Sequence, residues 1–156
     1  MPTPEFILAL RERVGHDLLW LTGVTAVIVD DEGRVLLHQR SDTGQWATIS
    51  GILEPGEQPA AAVVREAWEE TGVHIEVERI SSVTTDPPIT YPNGDVVQYL
   101  SIAFRCRPVG GEARVNDDES LAVEWFAPDD LPPLDVTARE RLAHALKDDP
   151  APYFVR

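Results

Sequence analysis

Residues 51–73 read GILEPGEQPAAAVVREAWEETGV, and no other stretch constrains the fold as tightly. Pro59 suits the first turn of a helix, where an N–H would have no intrahelical acceptor. Gly72 suits the position just past the helix end. Between them Glu66, Glu69 and Glu70 fall at i, i+3 and i+4, so they share one face about 100° wide. Glu57 sits on the loop that leads in. Carboxylates gathered on one face repel by roughly a few tenths of a kcal/mol per pair. A cation between them relieves this, and hard oxygen donors of this kind suit Mg²⁺ or Mn²⁺. The segment therefore points to a divalent-metal site and, with it, to phosphate chemistry. Ala60, Val63, Val64, Ala67 and Trp68 make an apolar face opposite or beside the carboxylates. The plain alternative is a solvated face with an Arg65–Glu69 ion pair one turn apart.

The rest of the chain alternates strand and turn signals. Residues 4–14 read as a helix with Phe6, Ile7, Leu10 and Val14 on one side and Gly15 as its stop. This N-terminal helical extension, about residues 4–15, is expected to pack on the sheet or on a second subunit. Residues 24–29 form a β-rich run, Asp30-Asp31-Glu32-Gly33 a turn, and residues 34–40 the partner strand of a hairpin. Residues 46–49 lead into the loop before the acidic helix. Strands are expected over 74–83, 96–106 and 121–126. A loop over 84–94 ends in the Asn93-Gly94 turn signal. Thr137-Ala-Arg-Glu140 reads as a capping box that opens a C-terminal helix to about Lys147.

A chain of 156 residues suits one domain, 1–156, with one core. The net charge of -14 disfavours long nucleic acid as a partner. A small phosphorylated ligand is compatible with that charge, because bound metal inverts the local potential. The single cysteine, Cys106, excludes an intrachain disulfide and suits a reducing, cytoplasmic setting. No apolar run approaches the roughly 18 residues of a membrane span. The apolar stretch 6–10 lacks the flanks of a secretory signal.

The segment 51–73 resembles the signature of the Nudix hydrolases, MutT-like enzymes. That signature is Gly, five residues, Glu, seven residues, Arg-Glu, an apolar residue, any residue, Glu-Glu, any residue, Gly and an apolar residue. Gly51, Glu57, Arg65, Glu66, Ala67, Glu69, Glu70, Gly72 and Val73 fill its fixed positions in order. Many relatives read Trp-x-x-Pro-Gly-Gly just before the box, whereas this chain has Trp46-Ala47-Thr48-Ile49-Ser50-Gly51. The resemblance implies an α/β fold, a mixed β-sheet flanked by helices. It implies metal held by Glu66, Glu69, Glu70 and the Gly51 carbonyl, with Glu57 and Arg65 paired to orient the ligands. Glu66 doubles as the general base in that picture, and Glu119, on the acidic loop 117–119, matches a further metal-binding or basic Glu of relatives. A surface turn is the alternative for Glu119.

The same resemblance implies metal-dependent hydrolysis of a diphosphate linkage in a nucleoside diphosphate derivative. Pro87-Pro88 lies where relatives acting on ADP-ribose carry a proline, and Tyr91 where some dinucleoside polyphosphate hydrolases carry a tyrosine. ADP-ribose or a nucleotide sugar is the expected substrate. Nucleoside triphosphates or dinucleoside polyphosphates are the alternative within the enzyme reading. A non-catalytic nucleotide-sensing domain is the alternative outside it, and such modules usually lose the box glutamates kept here. Arg40 is a candidate phosphate contact, and Trp46 and Tyr91 are candidates for stacking on the base. A surface ion pair for Arg40 and a core position for Trp46 are the competing readings. The four histidines lack zinc-ligand spacing. The N-terminal helix leaves two expectations open, a homodimer or packing on its own sheet.

Overall fold

A computed structural model describes residues 3–156. In chain order the elements are α1 (Glu5–Val14), β1 (Leu19–Ile28), β2 (Val35–Arg40), β3 (Trp46–Ala47), β4 (Ile49–Ile52) and α2 (Pro59–Thr71). They continue with β5 (Val73–Thr85), β6 (Ile89–Thr90), β7 (Val96–Gly111), β8 (Ser120–Phe126) and α3 (Val136–Leu146). One sheet has the order β4-β1-β7-β5, with β6 also on β7, and a second has the order β3-β2-β8. The larger sheet is mixed, because β1 runs parallel to β7 and antiparallel to β4.

β1 explains the layering. It is apolar on both faces, as a central strand with cover on each side must be. Val24, Ala26 and Ile28 join a core cluster with Ala62, Val63 and Ala67 of α2 and with Phe104 and Cys106 of β7. Val27 turns the other way and, with Val29 just beyond the strand, joins Leu37 of β2 and Leu142 and Ala145 of α3. Leu19 and Leu21 meet Ile7 of α1 and Val97 of β7, with Phe6 packed alongside. Thus α1 lies on the chain's own sheet, while Leu8, Leu10 and Val14 remain exposed.

Four expectations need correction. Residues 24–29 and 34–40 do not form a hairpin ladder. The turn is made, with Gly33 N donating to Asp30 O and Asp30 N to Arg34 O. Only the single Val29–Val35 bridge follows, and the two strands then enter different sheets. Both strands are buried on two faces, so each needs cover that a two-stranded ribbon cannot give. Strands β1, β5 and β7 are also longer than the alternation suggested, and residues 84–94 contain the short β6.

The apolar face of α2 was misplaced as well. Ala60, Val64 and Trp68 are exposed, whereas Glu66 and Glu70 are buried beside Val63 and Ala67. Finally, α3 is not opened by a Thr137 capping box. Its cap is Asp135, whose carboxylate accepts from Ala138 N at 2.7 Å. Asp135→Ala should therefore cost about 1 kcal/mol in urea unfolding, as loss of a helix cap does. Thr137→Ala should cost clearly less, and the reverse ranking would restore the capping box.

Candidate metal and phosphate site

The site begins with β4. Its register places Gly51 opposite Val24 and Ser50 opposite Thr25, and the Ser50 and Thr25 hydroxyls meet at 2.9 Å. Gly51 faces α2. A Cβ at this position would overlap the Oε1, Cδ and Cγ atoms of Glu66. The glycine is thus required by a carboxylate lying against the backbone of β4.

α2 supplies the acidic groups. It starts at Pro59 and ends at Gly72, whose φ of 68° is the left-handed conformation that closes many helices. Its C-terminal turn is held by the loop after β7. Asn116 Nδ2 donates to the Trp68 and Glu69 carbonyls at 2.9 and 3.2 Å, and Arg114 N donates to Thr71 O at 2.9 Å. The same loop brings Asp117 and Glu119, both half-buried, toward the helix.

Arg65 organises three glutamates. Its Nε and Nη2 donate to the two oxygens of Glu57 at 2.8 and 3.1 Å, a two-point pair. Its Nη1 donates to Glu66 Oε1 at 2.8 Å and to Glu69 Oε2 at 3.1 Å. The guanidinium holds the Glu57 carboxyl below the usual carboxylate range. Arg65 itself is shifted up, first by its bond to Glu57.

Glu66 and Glu70 are each only 1% exposed. Burial pushes the Glu66 carboxyl up to about 7, with Arg65 pulling against the rise. Burial, and then the neighbouring Glu66 and Asp117, push Glu70 up to about 9. Glu66 Oε2 and Glu70 Oε2 are buried and have no hydrogen-bond partner among the described residues. His38 Nδ1 lies 3.6 Å from Glu70 Oε2, but burial lowers that imidazole to about 4, so the contact joins two neutral groups near neutral pH.

The other sequence-derived candidates lie around this centre. Arg40 ends β2 and forms a two-point pair with Asp42 at 2.9 and 2.6 Å. It is near enough to Tyr91 and Glu70 to feel both. Tyr91 is exposed, and its hydroxyl meets that of Tyr99 at 3.3 Å. Trp46 packs edge-on against Phe126 with ring centres 4.9 Å apart, beside the Val27–Leu37 core. Glu119 lies at the head of β8, and its carbonyl accepts from Ser41 N at 2.7 Å. Sequence reasoning missed His38 and Ser120 as parts of this surrounding. The available signal was a histidine inside the apolar run of β2.

Among the described residues, no three acidic, imidazole or thiol groups converge as a ready-made metal cluster. One nitrogen of Arg65 instead engages both Glu66 and Glu69. The donor set still fits a hard divalent cation. Glu66 and Glu70 each keep a buried oxygen without a hydrogen bond, and the backbone of Gly51 lies against Glu66. Buried carboxylates in this state call for a proton or a cation.

A NUDIX domain model matches residues 20–147. The chain belongs to the Nudix family. α1 lies outside the matched range, and α2 with its flanking loops lies within it. The chain is 39% identical over 108 residues to a MutT-like protein of Streptomyces ambofaciens, covering 69% of this chain and 64% of the relative. It is 36% identical over 121 residues to an ADP-ribose pyrophosphatase of Methanocaldococcus jannaschii, covering 74% and 69%. The solved structure of a MutT NUDIX hydrolase from Burkholderia pseudomallei superposes with a TM-score of 0.68 at 33% identity, covering 81% of this chain and 98% of that one. The chain spans 64%, 37% and 40% of the length of three curated relatives. No helix among the described residues is long and apolar enough to cross a membrane.

Two outcomes follow for this Nudix site. Gly51→Ala should destabilise the chain by about 1–3 kcal/mol, the cost of overpacking, because buried Glu66 has little room to yield. Urea unfolding measures this, and an unchanged midpoint would contradict the close contact. The second concerns protons and metal. Glu66 and Glu70 hold protons more tightly when folded than unfolded. Their contribution therefore falls as pH climbs from the ordinary carboxylate range through about 7 for Glu66 and about 9 for Glu70. Mg²⁺ or Mn²⁺ should raise the melting temperature by mass action, more at pH 8 than at pH 6. Absence of any shift at millimolar metal would remove the site.

Proposed function

We propose that the chain is a divalent-metal-dependent hydrolase that cleaves the diphosphate linkage of a nucleoside diphosphate derivative, with ADP-ribose or a nucleotide sugar as substrate. One observation carries the reading: Glu66 and Glu70 are buried on α2, each with an oxygen lacking a hydrogen-bond partner among the described residues, and Glu66 lies against a glycine that admits no side chain. A fold tolerates that arrangement for a ligand, since its cost in a purely structural role is high. The relative from Methanocaldococcus jannaschii bears the name of an ADP-ribose pyrophosphatase, which supports the substrate class.

Mg²⁺ or Mn²⁺ would be held by Glu66, Glu69, Glu70 and the Gly51 carbonyl, with Glu119 reaching in from the head of β8. When bound, such a cation neutralises phosphate charge and lowers the pKa of water at the site. The remaining work falls to the chain itself. Arg65, anchored on Glu57, steadies the carboxylates, as groups behind metal ligands do. Glu66 is the proposed base, because one oxygen is fixed by Arg65 and the other is open to a proton. Arg40 would meet phosphate on release from Asp42, and Tyr91, exposed on the loop stiffened by Pro87 and Pro88, would stack on a base or ribose.

The test is turnover of a nucleotide panel with Mg²⁺ and Mn²⁺. ADP-ribose should yield two monophosphates. Glu69→Gln should lower the rate by about 10² or more, comparable to losing one strong electrostatic stabiliser. Near-parental turnover in that variant at saturating metal would remove Glu69 from the site. Triphosphates cleaved to monophosphate and pyrophosphate far faster than any diphosphate derivative would replace this substrate with a nucleotide-sanitising role.

A further inference from the structure

β2 carries a histidine where its neighbours are apolar. Val35, Leu36 and Leu37 are buried, and so is His38, at 5% exposure. Its Nδ1 lies 2.8 Å from Ser120 Oγ and 3.6 Å from Glu70 Oε2. Ser120 is buried too. A polar ring at this depth is costly unless its nitrogens are used. The two partners come from different elements, since Glu70 lies on α2 and Ser120 opens β8 directly after Glu119. A second tie runs the same way, from Ser41 N just beyond β2 to Glu119 O at 2.7 Å. The end of β2 therefore touches both acidic segments of the site.

We propose that His38, together with Ser120, is a positioning residue that orients Glu70 for cation binding and fixes the head of β8 against it. This rests on the reading of Glu70 as a metal ligand. The tautomer with its proton on Nδ1 presents one N–H toward both Ser120 Oγ and Glu70 Oε2. Against a Glu70 ionised by a bound cation, the opposite tautomer would turn a lone pair toward the carboxylate and repel it. A carboxylate that commits one oxygen to a cation needs a donor for the other, and Nδ1 lies 3.6 Å from Glu70 Oε2, a buried oxygen with no hydrogen-bond partner among the described residues. The Ser120 hydroxyl, accepting from the ring, holds the imidazole plane in place. His38 touches no substrate atom in this scheme and acts through Glu70.

The test is Mn²⁺ binding to the full chain without nucleotide, read by the loss of the free Mn²⁺ paramagnetic resonance signal. Parental binding checks the metal reading itself, and its absence would sink that reading together with this proposal. Given parental binding, His38→Leu should weaken Mn²⁺ affinity by about 10-fold or more, the usual effect of losing a partner behind a ligand. His38→Asn can place its amide near the site of Nδ1 and should recover most of the loss. A folded His38→Leu that binds Mn²⁺ like the parent would overturn the proposal. So would equal losses in the Leu and Asn variants, which would mark a packing role. If His38→Leu does not fold, Ser120→Ala decides: a several-fold loss of Mn²⁺ affinity with an unchanged circular dichroism spectrum supports the proposal, and unchanged affinity overturns it.

Discussion

Two glutamates buried on one face of α2 set the terms for the rest of the structure. Glu66 and Glu70 occupy positions among Val63 and Ala67 that a helix of this kind normally fills with apolar groups. Leaving water costs each carboxylate several kcal/mol, roughly, if it keeps its charge. The chain lowers that cost in two visible ways. Arg65 donates to one oxygen of Glu66 and is itself tethered by Glu57. Protons do the remainder in the metal-free state, since burial lifts the carboxyls to about 7 and about 9. In the proposed metal-bound state a cation would take the place of the protons.

The two sheets exist in the form they do because both must reach this helix. The larger sheet delivers Gly51 through the β1–β4 register and, through the far end of β7, the loop whose Asn116 caps α2. The smaller sheet delivers His38 from β2 and Ser120 from β8. A hairpin of β1 with β2 would have kept those strands in one layer and left one face of each without cover. The single Val29–Val35 bridge lets the chain switch sheets after one turn, and the core closes on both sides of β1.

The box helix was legible because its ends and its charges follow local rules. Pro59 and Gly72 mark the limits by backbone chemistry alone, and the 3.6-residue period fixes which glutamates share a face. What local rules could not supply was the direction in which that face points. Pattern reading sends Glu outward and Val64 and Trp68 inward, whereas the fold does the opposite at those positions. Functional burial overrides hydropathy there, and only the spacing of the signature warned of it. The hairpin failed for a related reason. The Asp30–Gly33 turn signal is the same whether the next strand pairs with the last or leaves for another sheet, and only the long-range pairing of β1 with β7 decides. A histidine inside the apolar run of β2 marked His38, but not its role, because its partners Glu70 and Ser120 lie 32 and 82 positions away in sequence.

A chain of net charge -14 that takes a phosphorylated ligand, as proposed, would have to confine its attraction to one place. On that reading the site would do this by making its local charge depend on the ligand. Without a cation, protonated Glu70 and Arg65-paired Glu66 leave little net charge on the buried face. With a cation, as proposed, the carboxylates would ionise around it, and the guanidinium of Arg65 would keep its two-point pair with Glu57. Positive charge would thereby be concentrated where phosphate would arrive on the proposed reading. The arrangement of Glu57 follows from that requirement. A cation that competed for Glu66 and Glu69 would not by itself release the arginine, because Glu57, its third carboxylate partner, lies outside α2.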